Sequence, residues 1–280
     1  MKLKPILYLG DTSLATAAGY LAGLMSMWRY GYDYVPSDVQ LNGEAHAPRD
    51  LYIISDYPAR LAEDSVQREI LTRVENGAGL IMIGGWESFH GQGGDWDGTP
   101  IGRVLPVQID RGDDRVNCDQ PALLRCVGNH PICDGLPWDE RPPTVGGFNR
   151  FTPKPDSQTI LEVHQFAAAF ENGEGVFTPT ERHPMLVVGQ YGRGRTAALA
   201  TDLAPHWVGG MVDWGTGERI TTAAPDSWSI EVGTYYAQFI RNLLNWTGRF
   251  DGAPAPMVQT TINPAAIAAV TAASPSVVTR

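Results

Sequence analysis

Basic residues are scarce in this chain: 21 Lys and Arg stand against 31 Asp and Glu, a net charge of −10. They form no stripe anywhere, so the electrostatic footprint that nucleic acid or an anionic membrane requires is missing. Long apolar runs are also missing. No stretch approaches the roughly 20 apolar residues of a membrane helix. The apolar run at Pro5–Gly10 is too short for the core of a secretory signal, so a cytoplasmic protein is expected. Cysteine is limited to Cys118, Cys126 and Cys133. An odd number excludes a closed disulfide framework using all three, and the spacing lacks the C-x-x-C pairs of a zinc site. Free thiols are expected in a reducing compartment. Neither G-x-x-x-x-G-K-S/T nor a helix-opening G-x-G-x-x-G occurs. No cofactor is expected.

What is present is a large apolar fraction, 43% of 280 residues with 19% charged, enough for a substantial core. Lys4–Leu9 reads as a first strand, ending at Gly10–Asp11–Thr12–Ser13. Thr12 or Ser13 is placed to cap a helix over Leu14–Tyr30. Short strands follow at Tyr32–Val35 and Leu51–Ser55, the latter ending at Asp56–Tyr57–Pro58. A helix beginning at Asp64 or Ser65 carries Val66, Ile70, Leu71 and Val74 on one face and stops at Asn76–Gly77. Alternation of this kind predicts βαβ units and a mainly parallel sheet with helices on both faces. In the second half, Thr159–Val163, Pro184–Gly189 and Thr196–Thr201 are strand-like, with a hairpin turn at Gly192–Arg193–Gly194. A helix over Tyr235–Trp246 points Tyr235, Phe239, Ile240, Leu243 and Leu244 inward. The expected organisation is one domain over residues 1–250. A tail over 251–280 is so poor in large apolar groups that disorder is expected.

The densest signal is Gly79–Val107. The run Gly79–Leu80–Ile81–Met82–Ile83 reads as a buried parallel strand that stops at Gly84–Gly85. Ligands of open α/β sheets collect outside the carboxyl ends of such strands. Gly84, Gly85, Trp86, Glu87, Ser88 and Phe89 are therefore candidate ligand-binding residues.

This segment resembles a glutamine amidotransferase-like family within the class I amidotransferase superfamily, related to trehalose-utilisation-type proteins. The matching features are I-G-G followed by Ser88–Phe89, then Gly98–Thr99–Pro100 and Leu105–Pro106–Val107. Further on come His130–Pro131–Ile132, Gly147–Phe148–Asn149–Arg150, Tyr191–Gly192–Arg193–Gly194–Arg195, and Ala200–Thr201–Asp202 with Trp207. The resemblance spans residues 4 to 248. It implies a flavodoxin-like fold whose active members carry a Cys–His–Glu triad, with the cysteine on a G-x-C-x-G elbow. Laid on this chain, the elbow is Gly84–Gly85–Trp86–Glu87–Ser88, and the nucleophile position holds Trp86. Indole cannot attack an amide carbonyl. By order, His206 resembles the triad histidine.

Each candidate has a plainer reading. Trp86 either packs over the strand end or offers a stacking face, with Trp96 and Trp207 as companions. His206 and Asp202, four residues apart, form either an oriented acid/base pair or an ordinary polar loop. Ser88, with Glu87 and His90, is a weak hydrolase set because sequence neighbours seldom reach triad geometry. A backbone hydrogen bond suits Ser88 better. The glycines at 91, 93, 94 and 98 read as a flexible or lid-like loop, since Glu87, Asp95 and Asp97 would repel phosphate. His90, Asp95, Asp97, His130 and His206 fit no metal spacing, and no metal is expected. Arg193 and Arg195 suit an exposed turn. The expected function is an amidotransferase-like protein lacking the nucleophilic cysteine, which binds a small polar metabolite at the strand ends through residues including Trp207. Neither nucleic acid nor membrane is an expected partner. The alternative is an inactive scaffold or homo-oligomer that uses Trp-rich loops (Trp86, Trp96, Trp138, Trp207, Trp214, Trp228) as its interface.

Overall fold

The computed structural model describes residues 5–250. Within it the first strands follow the expected apolar runs: β1 (Ile6–Gly10), β2 (Tyr32–Val35), β3 (Leu51–Ser55) and β4 (Gly79–Ile83). In β1, β3 and β4 every residue is buried, as unbroken apolar strands covered on both faces should be. Two helices accompany them, α1 (Ala18–Met27) and α2 (Asp64–Glu75). Helix α1 starts later than its apolar composition predicts, and neither Thr12 nor Ser13 caps it. Helix α2 buries Ile70 and Val74 and ends at Asn76, with Gly77 in the left-handed region (φ 121°).

The rest of the chain supplies a short helix α3 (Pro100–Val104) and two small strands, β5 (Val107–Gln108) and β8 (Thr152–Pro153), which pair with each other. Three long strands, β6 (Arg115–Cys126), β9 (Gln158–Glu171) and β10 (Glu174–Tyr191), and the six-residue β7 (Thr144–Asn149) form the other half of the main sheet. Strand β11 (Gly194–Leu199) then returns to the parallel half. A β12–β13 ribbon (Arg219–Thr222, Ile230–Gly233) and helix α4 (Thr234–Gly248) complete it.

One nine-stranded sheet runs β2-β1-β3-β4-β11-β10-β9-β6-β7. The first four pairings are parallel and the last four antiparallel. The architecture is α/β, but the sheet is mixed, and the expectation of a mainly parallel sheet holds only for the half ending at β11. Helices cover both faces. A Cβ on Gly194 would meet Val74 O of α2 at 2.2 Å, while one on Gly79 would meet Thr247 O of α4 at 2.4 Å. Those two positions have opposite parity in the β4–β11 register, so α2 and α4 lie on opposite sides. Helix α4 buries Tyr236 rather than the expected Tyr235, which is only half-buried. The tail expected over 251–280 lies outside the described residues.

Candidate functional site

Strand order reverses between β1 and β3, because the chain leaves β1 for β2 on one side and returns to β3 on the other. A crevice at the carboxyl ends of the strands is favoured at such a point. The residues found there are Asp11 after β1, Asp56 after β3, Gly84–Glu87 after β4 and Asp202 after β11.

Asp11 is buried, with a left-handed backbone (φ 50°). Its carboxylate accepts a short hydrogen bond from Tyr8 Oη, and its carbonyl accepts one from Tyr34 Oη at 3.1 Å. Burial, with the Asp56 charge adding to it, pushes its pKa up to about 7 against the hydrogen bonds from Tyr8 and Ser55. Asp56 is half-buried and accepts Glu87 N at 2.5 Å. Burial raises its pKa as well, while His206 lowers it. Asp202 accepts Trp207 N at 3.1 Å and Val208 N at 2.6 Å. Its pKa lies well above the usual carboxylate range, chiefly through burial and further through the charges of Asp11 and Asp56. Three carboxyls from three strands thus sense one another, and of these only Asp202 is legible in the sequence as a site residue. Asp11 and Asp56 read there as turn residues. The signal that marks them is their position, each directly after a buried strand flanking the switch point.

The turn after β4 is held by backbone geometry. Gly84 N donates to Leu199 O (2.7 Å) and Thr201 O (3.1 Å), and a Cβ on Gly84 would lie 1.9 Å from Ala200 O. Gly85 is clamped by Asn149, whose Oδ1 accepts Gly85 N at 2.9 Å and whose Nδ2 donates to Gly85 O at 3.1 Å. Trp86 is not among the described residues with positive φ, so it does not occupy the strained position of a nucleophile elbow. Its indole is 43% exposed, with the Arg115 guanidinium 4.5 Å above the ring and the His206 ring 6.2 Å away, centroid to centroid. Glu87 is half-buried and paired with Arg60 at 3.3 Å.

Other expected site residues are placed differently. Ser88 is fully buried and accepts Asp56 N at 2.9 Å, so it serves the turn. Phe89 is fully buried against Phe151. Trp207 is 1% exposed and donates Nε1 to Asn117 Oδ1 at 2.7 Å. None of these three faces solvent, and they leave the set that can line an open site. His206 is exposed, on the loop whose backbone Asp202 holds. The Asp202 carboxylate is therefore engaged with backbone N–H groups rather than with the His206 ring.

The glycine-rich loop is tied down rather than lid-like. Asp114 accepts His90 N (2.9 Å) and Gly91 N (3.0 Å), Trp96 is buried with Nε1 on Tyr57 O (2.8 Å), and Ala59 N bonds Gly94 O (2.8 Å). Its N–H groups at 90 and 91 are consumed internally and cannot cradle an anion. His90, Asp95 and Asp97 bring one ligand atom each to within 4.8 Å of one another, the only such group among the described residues. His90 Nδ1 already bonds Asp97 Oδ1 at 2.7 Å, and the Arg111 guanidinium lies 3.7 Å from the same carboxylate. His130 lies elsewhere, buried and edge-on to Trp246. Arg193 and Arg195 are docked on carbonyls of Asn76 and Trp246. Of the six loop tryptophans, Trp96, Trp138, Trp207 and Trp214 are at most 5% exposed, which leaves Trp86 and Trp228 to face solvent.

The thiols are poorly placed for nucleophilic work. On β6, Arg115 reaches Trp86 and Asn117 reaches Trp207, so Cys118 alternates to the opposite face. Burial raises its pKa. Cys126 bonds Gly128 O at 3.1 Å, and Cys133 is buried.

Comparison with solved structures supports the fold. Cytoplasmic Protein STM1381 from Salmonella typhimurium LT2 is similar with a TM-score of 0.63 and 25% identity, over 86% of this chain and 98% of that one. Cytoplasmic Protein STM3548 from Salmonella typhimurium gives 0.62 and 23%, over 87% and 98%. No curated protein matches. No helix among the described residues is long and apolar enough to cross a membrane. The family model described as "Putative glutamine amidotransferase" matches residues 47–225, a span that takes in the β4 turn, the Asn149 clamp and the Asp202 loop, and the chain belongs to that glutamine amidotransferase-like family.

Proposed function

We propose that this chain is a family member without the covalent cysteine step, binding a small polar metabolite at the carboxyl ends of β1, β3, β4 and β11. The observation that carries this reading is the convergence of Asp11, Asp56 and Asp202 beside the exposed Trp86 and His206. Perturbed carboxyls gathered at the ends of parallel strands point to a site there. The flavodoxin-like order of the parallel strands supports the same place.

The surroundings constrain the ligand. Glu87 disfavours an anion, and Asp11, Asp56 and Asp202, whose pKa values burial raises, offer carboxyls that can donate as well as accept, so a neutral polyhydroxylated or amine-bearing molecule fits best. Trp86 supplies a flat apolar surface, with one face engaged by Arg115. The chemistry on offer is proton transfer. A carboxyl with a pKa of about 7 carries its proton half the time near neutrality and can donate or accept. Asp56 stands in the electrostatic field of both Asp11 and His206. Asp202, expected from its spacing to be the acid/base partner, is better cast as a positioning residue that holds the His206 loop.

Thermal shifts of the wild type, Trp86→Ala and His206→Ala against sugars, amino acids, amines and nucleotides test this. A ligand at 100 times its Kd stabilises by about 2.7 kcal/mol, which is roughly 5–10 °C for a domain of this size. The shift should shrink in both variants. A shift retained in both would move the site elsewhere. No shift with any compound, all three proteins being folded, would overturn the binding reading.

A further inference from the structure

After β4 the chain engages its own backbone donors with its own side chains. Gly85 N is taken by Asn149 Oδ1 at 2.9 Å, and His90 N and Gly91 N are taken by the Asp114 carboxylate. Between them lie Trp86 N and Glu87 N, and both are held by Asp56. Glu87 N donates to Asp56 Oδ1 at 2.5 Å, and Trp86 N donates to the same carboxylate. Asp56 reaches them from the end of β3 with a left-handed backbone (φ 48°), its own N–H fixed on Ser88 Oγ at 2.9 Å. Gly85 makes the room. A Cβ there would lie 2.6 Å from Asp56 Oδ1 and 2.7 Å from its Cγ, so the carboxylate rests directly on the glycine backbone.

Two successive backbone N–H groups that converge on one carboxylate form an anion cradle. His206 stands near it: its charge favours the ionised form of Asp56, and its ring lies 6.2 Å from that of Trp86. A carboxylate or phosphate group of a ligand would seek these same partners. In the folded chain it finds them occupied, and it meets the charges of Asp56 and Glu87 as well. A dissolved anion also loses translational freedom on binding, whereas the Asp56 carboxylate is already in place.

We propose that Asp56 is the specificity-determining residue of the strand-end site: it fills the anion cradle at Trp86 and Glu87 from within, and so reserves the site for ligands that bring no carboxylate or phosphate of their own. This rests on the binding reading above and narrows its ligand class.

Asp56→Gly opens the cradle and suits the backbone, because glycine takes a positive φ without strain. Asp56→Asn keeps the cradle filled with a neutral amide. Formate is the probe, at pH 6, where Asp11 with its pKa of about 7 keeps its proton, and chloride at equal ionic strength is the reference. Formate should stabilise Asp56→Gly, by roughly 3–6 °C at ten times its Kd. The wild type and Asp56→Asn should not respond beyond the chloride reference. A wild type that responds as strongly as Asp56→Gly overturns the proposal, and so does a folded Asp56→Gly that formate leaves unmoved. If Asp56→Gly does not fold, amide hydrogen exchange takes its place. Trp86 N–H and Glu87 N–H should be protected in the wild type and exchange several-fold faster in Asp56→Asn, whose neutral oxygen is the weaker acceptor. Unprotected amides in the wild type, or rates unchanged in Asp56→Asn, overturn the proposal. The two readings fail differently. Formate binding gained by Asp56→Gly, with a compound panel silent on the wild type, overturns the binding reading and upholds the filled cradle. A wild-type ligand held at the β4 turn through its own carboxylate or phosphate upholds the binding reading and overturns the role of Asp56.

Discussion

A carboxyl group enclosed by Tyr8, Tyr34 and Ser55 loses the water that stabilises its charge, and Asp11 accordingly titrates at about 7 rather than at 3.8. The consequence for stability has a definite sign. Between those two values the unfolded chain has released this proton and the folded chain still holds it, so stability falls as pH rises through the window. Above about 7 the loss is complete, on the order of 4 kcal/mol for this one group. Asp11→Asn preserves an acceptor for Tyr8 Oη and removes the titration. Relative to the wild type, the variant should gain melting temperature progressively from pH 4 to pH 8, with no gain at the acid end. Thermal melts of the two proteins across that range measure it, and parallel curves would mean that Asp11 is ionised in the folded state like an ordinary aspartate. The same enclosure explains why Asp11 is illegible in the sequence. Gly10–Asp11–Thr12–Ser13 has the composition of any polar turn, and the tyrosines that desolvate it come from positions 8, 34 and, more remotely, 236.

Among the elements, β4 and β11 bring their backbones into close approach beside the site. The 1.9 Å that would separate a Cβ on Gly84 from Ala200 O leaves no rotamer to relieve it, because both sides are backbone. Gly84→Ala must therefore push β4 from β11 just where Asn149 bridges to Gly85. A loss of roughly 3 kcal/mol or more is expected, against less than about 0.5 kcal/mol for Gly43→Ala, which has open space around it. Urea midpoints of the two variants compare them directly. This parallel half is legible chiefly through β1, β3 and β4, short and largely apolar runs closed by glycine or aspartate. The antiparallel half is legible only in part. The expected runs Thr159–Val163 and Pro184–Gly189 fall within β9 and β10, and the turn before Gly194 lies at its expected position. Strands β6 and β7 and the outer stretches of β9 and β10 carry no such signal. Strand β10 contains Pro179 and Pro184, residues that argue against an interior strand. The register slips after each of them, between Pro179 and Arg182 and between Pro184 and Leu186, so the sheet absorbs the prolines at irregularities no local pattern reveals. Strands β6 and β9 are mostly half-exposed and lack the apolar run that marks β4.

Across the whole molecule, the sheet separates the chain's thiols from its candidate site. Strand β6 starts beside Trp86 at Arg115 and ends at Cys126. The β6 register slips between Asn117 and Ala122. Cys126 pairs with Leu161, and the same row of the sheet runs on through Leu186 and Leu199 to Ile83. Cys126 and the adjoining Cys133 therefore lie four strands, roughly 20 Å, to the side of the β4 turn. Cys118, nearer the site, faces away from it, and burial holds its thiol in the protonated form. A cysteine-dependent glutaminase needs a thiolate at the β4 turn, and the turn presents an indole. The triple variant Cys118→Ser/Cys126→Ser/Cys133→Ala should therefore bind any ligand found for the wild type within about twofold, with a cost in stability of about 1–2 kcal/mol from the buried Cys133 position. Calorimetric titration gives the affinity and an ammonia-coupled assay with glutamine gives the turnover. Neither protein should release ammonia above the uncatalysed rate. Ammonia released by the wild type and lost in the triple variant would show that one of these thiols reaches the site, and the family's covalent chemistry would then have to be restored to this chain.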